Sequence, residues 1–321
     1  MDQRSYDFYE TYDYLEQELI NKDRRYRREI RRQGRPREDP ANIRAMLTDF
    51  SDSVDDFVPS YAAVLDPKHH ERQWLIESVG SFYRDNLITD VSRIVKGGKE
   101  ANVYCCPANP AAGVELIAAK LYRPRMLRHL KNDAVYKAGR QLRDVEGKQI
   151  KGRRYKLALK KKTSFGKRLD IEWWIGNEFI SQSKLYEAGA DVPKPIAHRG
   201  NTVLMAFVGD NQVTAPTLNE IKLDHNEARL LFEQVMANVR IMLEQHYVHG
   251  DLSAYNILFW QGDVTIIDFP QMVGARTNPN AFDLLSRDIQ RVCDYFNQFG
   301  VGANARQLTL DLWEPYMGRS F

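Results

Sequence analysis

Residues 249–271, HGDLSAYNILFWQGDVTIIDFPQ, constrain this chain more than any other stretch. A polar loop runs into an apolar strand predicted over residues 257–260. Gln261-Gly262-Asp263 then makes a turn, and a second strand predicted over 264–267 ends on the carboxylate of Asp268. Such a hairpin brings the acceptor side chains of Asp251, Asn256 and Asp268 together.

An acid, an amide five residues later and a second acid beyond a hairpin suit phosphoryl transfer. In that chemistry the protein supplies a base, metal ligands and positioning rather than covalent steps. The protein-kinase signature has the same order and the same five-residue step. Asp251 is therefore expected to accept or orient the nucleophile's proton. Asn256 and Asp268 are expected to offer the hard oxygens that Mg²⁺ prefers, with Mn²⁺ as a substitute, and Asp268 counts with Asp251 as catalytic. Each residue alone would suit the polar cap of an ordinary hairpin. Only the ordered set, with apolar strands between its members, carries the reading.

The wording of the stretch departs from conventional kinases: His-Gly-Asp-Leu-Ser replaces His-Arg-Asp-Leu, and Ile-Asp-Phe-Pro-Gln replaces the Asp-Phe-Gly segment. Both forms resemble the RIO family of atypical serine/threonine protein kinases, and the resemblance runs from about residue 91 to about 296. It implies a two-lobed α/β (α+β) protein-kinase-like fold of RIO type, lacking an activation loop and a peptide-docking lobe. Residues 1–90 would form a charged N-terminal helical extension. Residues 91–205 would form the nucleotide-binding lobe, with a basic flexible loop at about 123–170, and residues 206–321 the lobe carrying the catalytic and metal loops. The implied function is ATP- and Mg²⁺-dependent phosphoryl transfer. Its rival is an ATPase switch that gates attachment to RNA or a ribosomal assembly without phosphorylating a protein in trans. No protein substrate is legible.

Further residues then fall into place around ATP. The turn Lys96-Gly97-Gly98-Lys99-Glu100, flanked by Val103 on the outgoing strand, has glycines that let backbone N–H groups approach phosphates and cations to attract them. It resembles the RIO phosphate loop, which lacks the full G-x-G-x-x-G pattern. Lys120 interrupts an apolar strand over 115–122, where a lysine is costly unless paired or at a sheet edge. The kinase resemblance pairs it with Glu178, on a helix predicted over 171–188 and stopped by Gly189. An apolar strand over 203–208 matches the strand and hinge between lobes. Met205 would back the adenine pocket there, and the backbones of Ala206 and Val208 would bond the base. Ser253 stands where conventional kinases carry a lysine, so one cation near the transferring group is missing.

The remaining features are scaffold or charge. Asp224 and Glu227 form a capping-box pattern ahead of a helix with Leu231, Val235, Val239 and Met242 on one face. A later helix places Phe282, Leu285, Ile289, Val292 and Phe296 on a face. An amphipathic helix is expected over 1–20. His69 and His70 are adjacent, which does not converge two ligands on a helix, so they are read as surface. The net charge of +3 hides two basic runs: Lys22 and eight arginines within 22–37, and ten cations without an acid within 148–168. Both suit contact with RNA or a ribosomal particle. No apolar run reaches membrane-spanning length, and three cysteines suggest reduced structural thiols, so the chain is expected to be cytoplasmic.

Overall fold

The computed structural model describes residues 58–64, 70–98, 100–122 and 164–318. The helix expected over 1–20, the basic run 22–37, the loop 123–163, His69 and Lys99 lie outside these residues. By internal contacts the chain separates into two units, Met1–Asp56 with Lys151–Leu169, and Phe57–Ile150 with Asp170–Phe321. The second unit holds every predicted site residue that the structure describes.

This unit begins with helices α1, Ser60–Val64, and α2, His70–Arg84. They lead into strands β1, Arg93–Gly97, β2, Ala101–Pro107, and β3, Leu116–Tyr122. Helix α3, Ser164–Glu187, follows, and then β4, Pro195–Arg199, and β5, Thr202–Ala206. The five strands pair antiparallel in the order β1-β2-β3-β5-β4, so β3 is the central strand. Period-2 alternation gives β3 two different faces. Ile117, Ala119 and Leu121 cluster with Leu75, Val79 and Phe82 of α2. Lys120 and Tyr122 turn to the other face, where Tyr122 clusters with Ile175 of α3 and Val203.

Burying a Leu, Val or Phe side chain is worth about 1.5–3 kcal/mol, so α2 is part of the sheet's core rather than an appendage of it. Helix α3 starts seven residues before the predicted position. Between Ser164 and Ile171 only Gly166 opposes a helix, at a cost of about 1 kcal/mol. Its C-terminus is where Gly189 predicts, with Gly189 at φ +82° and the Ala190 N–H donating to Leu185 O at 3.0 Å.

The second half is mainly helical. Helix α4, His225–Glu244, buries Leu231, Val235, Val239 and Met242 as its spacing predicts. A short ladder pairs β6, Tyr247–Val248, with β9, Val273–Gly274. The predicted hairpin is present as β7, Ile257–Trp260, and β8, Asp263–Ile266. Helices α5, Ala281–Asn297, and α6, Ala305–Gly318, close the unit. On α5 the buried stripe is Ala281, Leu284, Leu285, Asp288, Ile289, Val292, Cys293 and Phe296. Phe282 falls beside this stripe, is 37% exposed, and meets the ring of Trp313 on α6 edge-on at 5.5 Å. Phe282 thus stands one helical step off the face on which it was expected with Leu285, Ile289, Val292 and Phe296.

Sheet plus helix followed by a helical layer is the two-lobed kinase-like α/β arrangement. Cys105, Cys106 and Cys293 are free and buried. Among the described residues no helix is long and apolar enough to cross a membrane.

Candidate active site

The site gathers around Lys120. Because β3 is central, its ammonium cannot escape to a sheet edge; only 12% of the side chain is exposed, and it must find partners within the fold. It finds two. Nζ lies 2.7 Å from Glu178 Oε1 and 2.6 Å from Asp268 Oδ1. Glu178 is itself 1% exposed and also accepts a hydrogen bond from the Tyr122 hydroxyl. Burial works to lower the Lys120 pKa, but the two carboxylates outweigh it and hold the ammonium charged. Burial raises Glu178 above the usual carboxylate range, with Lys120 opposing. For Asp268, burial pushes upward, yet Lys120 wins and holds it ionised, with Lys96 contributing in the same sense.

The β7–β8 hairpin places the second and third acceptors. Asn256 immediately precedes β7, and its carbonyl accepts from Ile267 N at 3.0 Å. Residue 267 in turn precedes Asp268, so Asn256 and Asp268 share the open end of the hairpin. Asp268 lies in the left-handed region at φ +75°, and its side chain is 45% exposed. The Asn256 side-chain amide donates to Asp251 O at 2.8 Å, which ties the acid to the amide five residues on and keeps Oδ1 as the acceptor end.

Asp251 is pinned from several directions. Its N–H donates to His249 Nδ1 at 3.3 Å, while His249 Nε2 lies 3.2 Å from Ile267 O, so the proton of a neutral imidazole sits on Nε2. Burial pushes His249 down and keeps that ring neutral. Asp288 of α5 accepts from Gly250 N at 2.7 Å and Leu252 N at 3.1 Å, and Arg287 donates to Gly250 O. The carboxylate of Asp251 bonds Arg291 Nη1 at 2.8 Å through Oδ1.

The predicted phosphate turn lies at the end of β1 and β2. Lys96 and Gly97 are exposed and pair with Val103 and Asn102, and Val103 pairs in turn with Lys120. Gly98 donates to Ala101 O at 3.0 Å, and a Cβ there would lie 2.8 Å from the same oxygen, so the turn requires glycine. Glu100 is exposed next to it. Met205 is half-buried on β5 opposite Ala118. The strand ends at Ala206, two residues short of prediction. Ala206 N–H donates to Lys194 O at 2.8 Å, and Val208 O accepts from Ala215 N at 3.1 Å. Ser253 precedes the 3-10 turn Ala254–Asn256 in extended conformation.

Sequence reading missed Asp288, Arg291, Arg287 and Tyr122. A signal existed for Asp288, since an acid on the 285, 289, 292 stripe of an amphipathic helix is a buried acid in want of donors. For Arg291 the spacing gave none.

A profile of the RIO domain matches residues 130–308. The chain is 32% identical over 216 residues to serine/threonine-protein kinase RIO1 of Homo sapiens, covering 67% of this chain and 34% of that protein. It is 33% identical over 138 residues to the RIO-type serine/threonine-protein kinase Rio1 of Haloferax volcanii, covering 43% and 47%. It thus spans less than half the length of either relative. The crystal structure of the Rio2 kinase–ADP/Mg²⁺–phosphoaspartate complex from Chaetomium thermophilum aligns at a TM-score of 0.49 with 20% identity, covering 76% of this chain and 71% of that one. Since the RIO profile spans more than half of it, the chain belongs to the RIO family.

Proposed function

We propose that this chain is a RIO-type serine/threonine kinase that transfers a phosphoryl group from ATP with Mg²⁺. The observation that carries the reading is the bridge of Lys120 Nζ between Glu178 and Asp268. A lysine paired to a helix glutamate is the cation that kinases set on the nucleotide phosphates, and an aspartate beside it is their metal ligand. The donor set fits: Asn256 and Asp268 offer two hard oxygens, and Mg²⁺ takes few protein ligands because phosphates and water fill the rest. Bound there, Mg²⁺ or Mn²⁺ would neutralise charge on the phosphates. Lys120 would hold the phosphates in place, and the Gly97-Gly98 turn, with no side chains in the way, would let them come close to the backbone beside Lys96 and Glu100. Because Ala206 N–H and Val208 C=O are engaged, the base would be read by the Ala206 carbonyl and the Val208 N–H, with Met205 behind it. Asp251 would take or orient the nucleophile's proton.

A second reading, an ATPase switch gating attachment to RNA or a ribosomal assembly, is favoured by two features. Only twelve residues, 269–280, separate Asp268 from α5, too few for the activation segment that receives a peptide in conventional kinases. The run 148–168 with ten cations and no acid suits a polyanion. A cytoplasmic location accords with the free thiols.

Incubation with γ-labelled ATP and Mg²⁺, scoring free phosphate, label on the chain and label on added protein, tests both. Labelled protein supports the kinase. Free phosphate alone, with RNA binding that changes with nucleotide and loses salt dependence on replacing Lys160, Lys161 and Lys162 by Ala, supports the switch. No turnover at all would refute both.

A further inference from the structure

Helix α5 reaches the catalytic loop at three positions of one face. Arg287 and Asp288 hold the backbone of Gly250 and Leu252, and one turn later Arg291 holds the side chain of Asp251. The Asn256 amide and His249 imidazole fix only the backbone of Asp251. That leaves the carboxylate torsion, which is broad and roughly two-fold for aspartate. The bond from Arg291 Nη1 to Oδ1 at 2.8 Å restricts this freedom and occupies one of the two carboxylate oxygens.

The pair contributes little to stability. Its side chains are 41% and 38% exposed, and exposed ion pairs are worth a median of about 0–1 kcal/mol. Placement of a catalytic group is a different matter, because about 1 Å of error can cost on the order of 10²-fold in rate. We propose that Arg291 is a positioning residue for phosphoryl transfer, restricting the torsion of the Asp251 carboxylate. This rests on the kinase or ATPase reading of the site, since it needs Asp251 to handle the nucleophile's proton.

The test is a double-mutant cycle of Arg291→Gln and Asp251→Asn, read by single-turnover rates with Mg·ATP, nucleotide affinity and melting temperature. Arg291→Gln should lose on the order of 10- to 100-fold in rate, with ATP affinity and melting temperature unchanged. In the Asp251→Asn background the same substitution should cost nothing further, because the residue acts through that carboxylate. Arg291→Lys, which keeps a charge and a donor, should recover most of the rate.

A wild-type rate in Arg291→Gln overturns the inference and leaves the activity standing. An undiminished loss in the Asp251→Asn background, or loss of ATP affinity in step with rate, overturns it equally. Absence of turnover in the unmodified chain would instead sink the functional reading on which it rests. Should Arg291→Gln melt early, the Lys variant decides: a rate as low as that of Gln, in a protein of normal melting temperature, rejects the role.

Discussion

Lys120 Nζ and Asp268 Oδ1 lie 2.6 Å apart although 148 residues separate them in sequence. The contact joins the central strand of the sheet to the end of the β7–β8 hairpin, and Glu178 completes it from α3 at 2.7 Å. Removing the lysine would strand Glu178, 1% exposed, with the Tyr122 hydroxyl as a remaining donor. Breaking a buried pair from one side costs about 3–5 kcal/mol. Lys120→Met should fall at the low end of that range, measured by urea unfolding, because Tyr122 still stabilises the carboxylate. Adding Glu178→Leu should restore part of the loss, as apolar replacements of buried pairs often do. A single variant within experimental error of wild type would mean that the bridge is not formed in solution.

The two acids of the hairpin region should separate cleanly. Asp268 needs a substitute that tolerates φ +75°, which Asn does better than Ala. Asp268→Asn should therefore keep the fold while weakening Mg²⁺-dependent ATP binding and turnover together. Asp251→Asn should bind Mg·ATP nearly as wild type and lose about 10²- to 10⁴-fold in rate, the range of a general acid–base contribution. Calorimetric titration distinguishes them. Equal affinity losses would contradict the division of roles.

What could be read from the sequence was whatever local chemistry or short spacing encodes. The hairpin, the Asp251–Asn256 step, the Gly98 turn, and the Asp224 box all lie within a few residues of themselves. The Lys120–Glu178 pair, 58 residues apart, was reached only through the kinase resemblance, and its contact to Asp268 was not foreseen. Tertiary placement decided the rest. Whether Lys120 sits on an edge or a central strand depends on where β5 pairs, and an arginine such as Arg291 on the exposed flank of a helix carries no sign of what it will meet. The helix α6 and strand β4 were not predicted, being short or, for α6, interrupted by Pro315.

The cap of α4 provides a local control. Asp224 accepts from Asn226 N at 2.8 Å and Glu227 N at 2.9 Å, and Glu227 Oε2 accepts in turn from Asp224 N at 2.9 Å. Asp224→Ala should cost about 1 kcal/mol of stability, within the usual 0.5–2 for a lost cap, and leave ATP affinity unchanged. A drop in affinity would show that α4 communicates with the nucleotide site.

Asp288 should give the unit a pH dependence. The acid is 2% exposed, and burial pushes its pKa from 3.8 up to about 7, against the opposing pull of the Gly250 and Leu252 N–H groups and the Arg287 guanidinium. The cavity beside it, lined by Val239, Met242, Val248, His249 and Leu285 among others, holds about 10 Å³, the lower limit for one water. Its folded pKa lies above its unfolded one, so the folded state binds the extra proton. The stability tied to that proton is full below about pH 4 and is lost as pH rises through about 7. The slope reaches about 1.4 kcal/mol per pH unit, which caps the whole effect near ~4 kcal/mol. Burial pushes His249 toward its neutral form, and this neighbour is common to wild type and variant. Asp288→Asn cannot titrate, so its unfolding free energy should lack this decline between pH 5 and 8, whatever constant cost its lost acceptor adds. Parallel curves for the two proteins in urea unfolding at pH 5, 6, 7 and 8 would show that Asp288 stays ionised in the fold, held by its two backbone donors and Arg287 rather than by a proton.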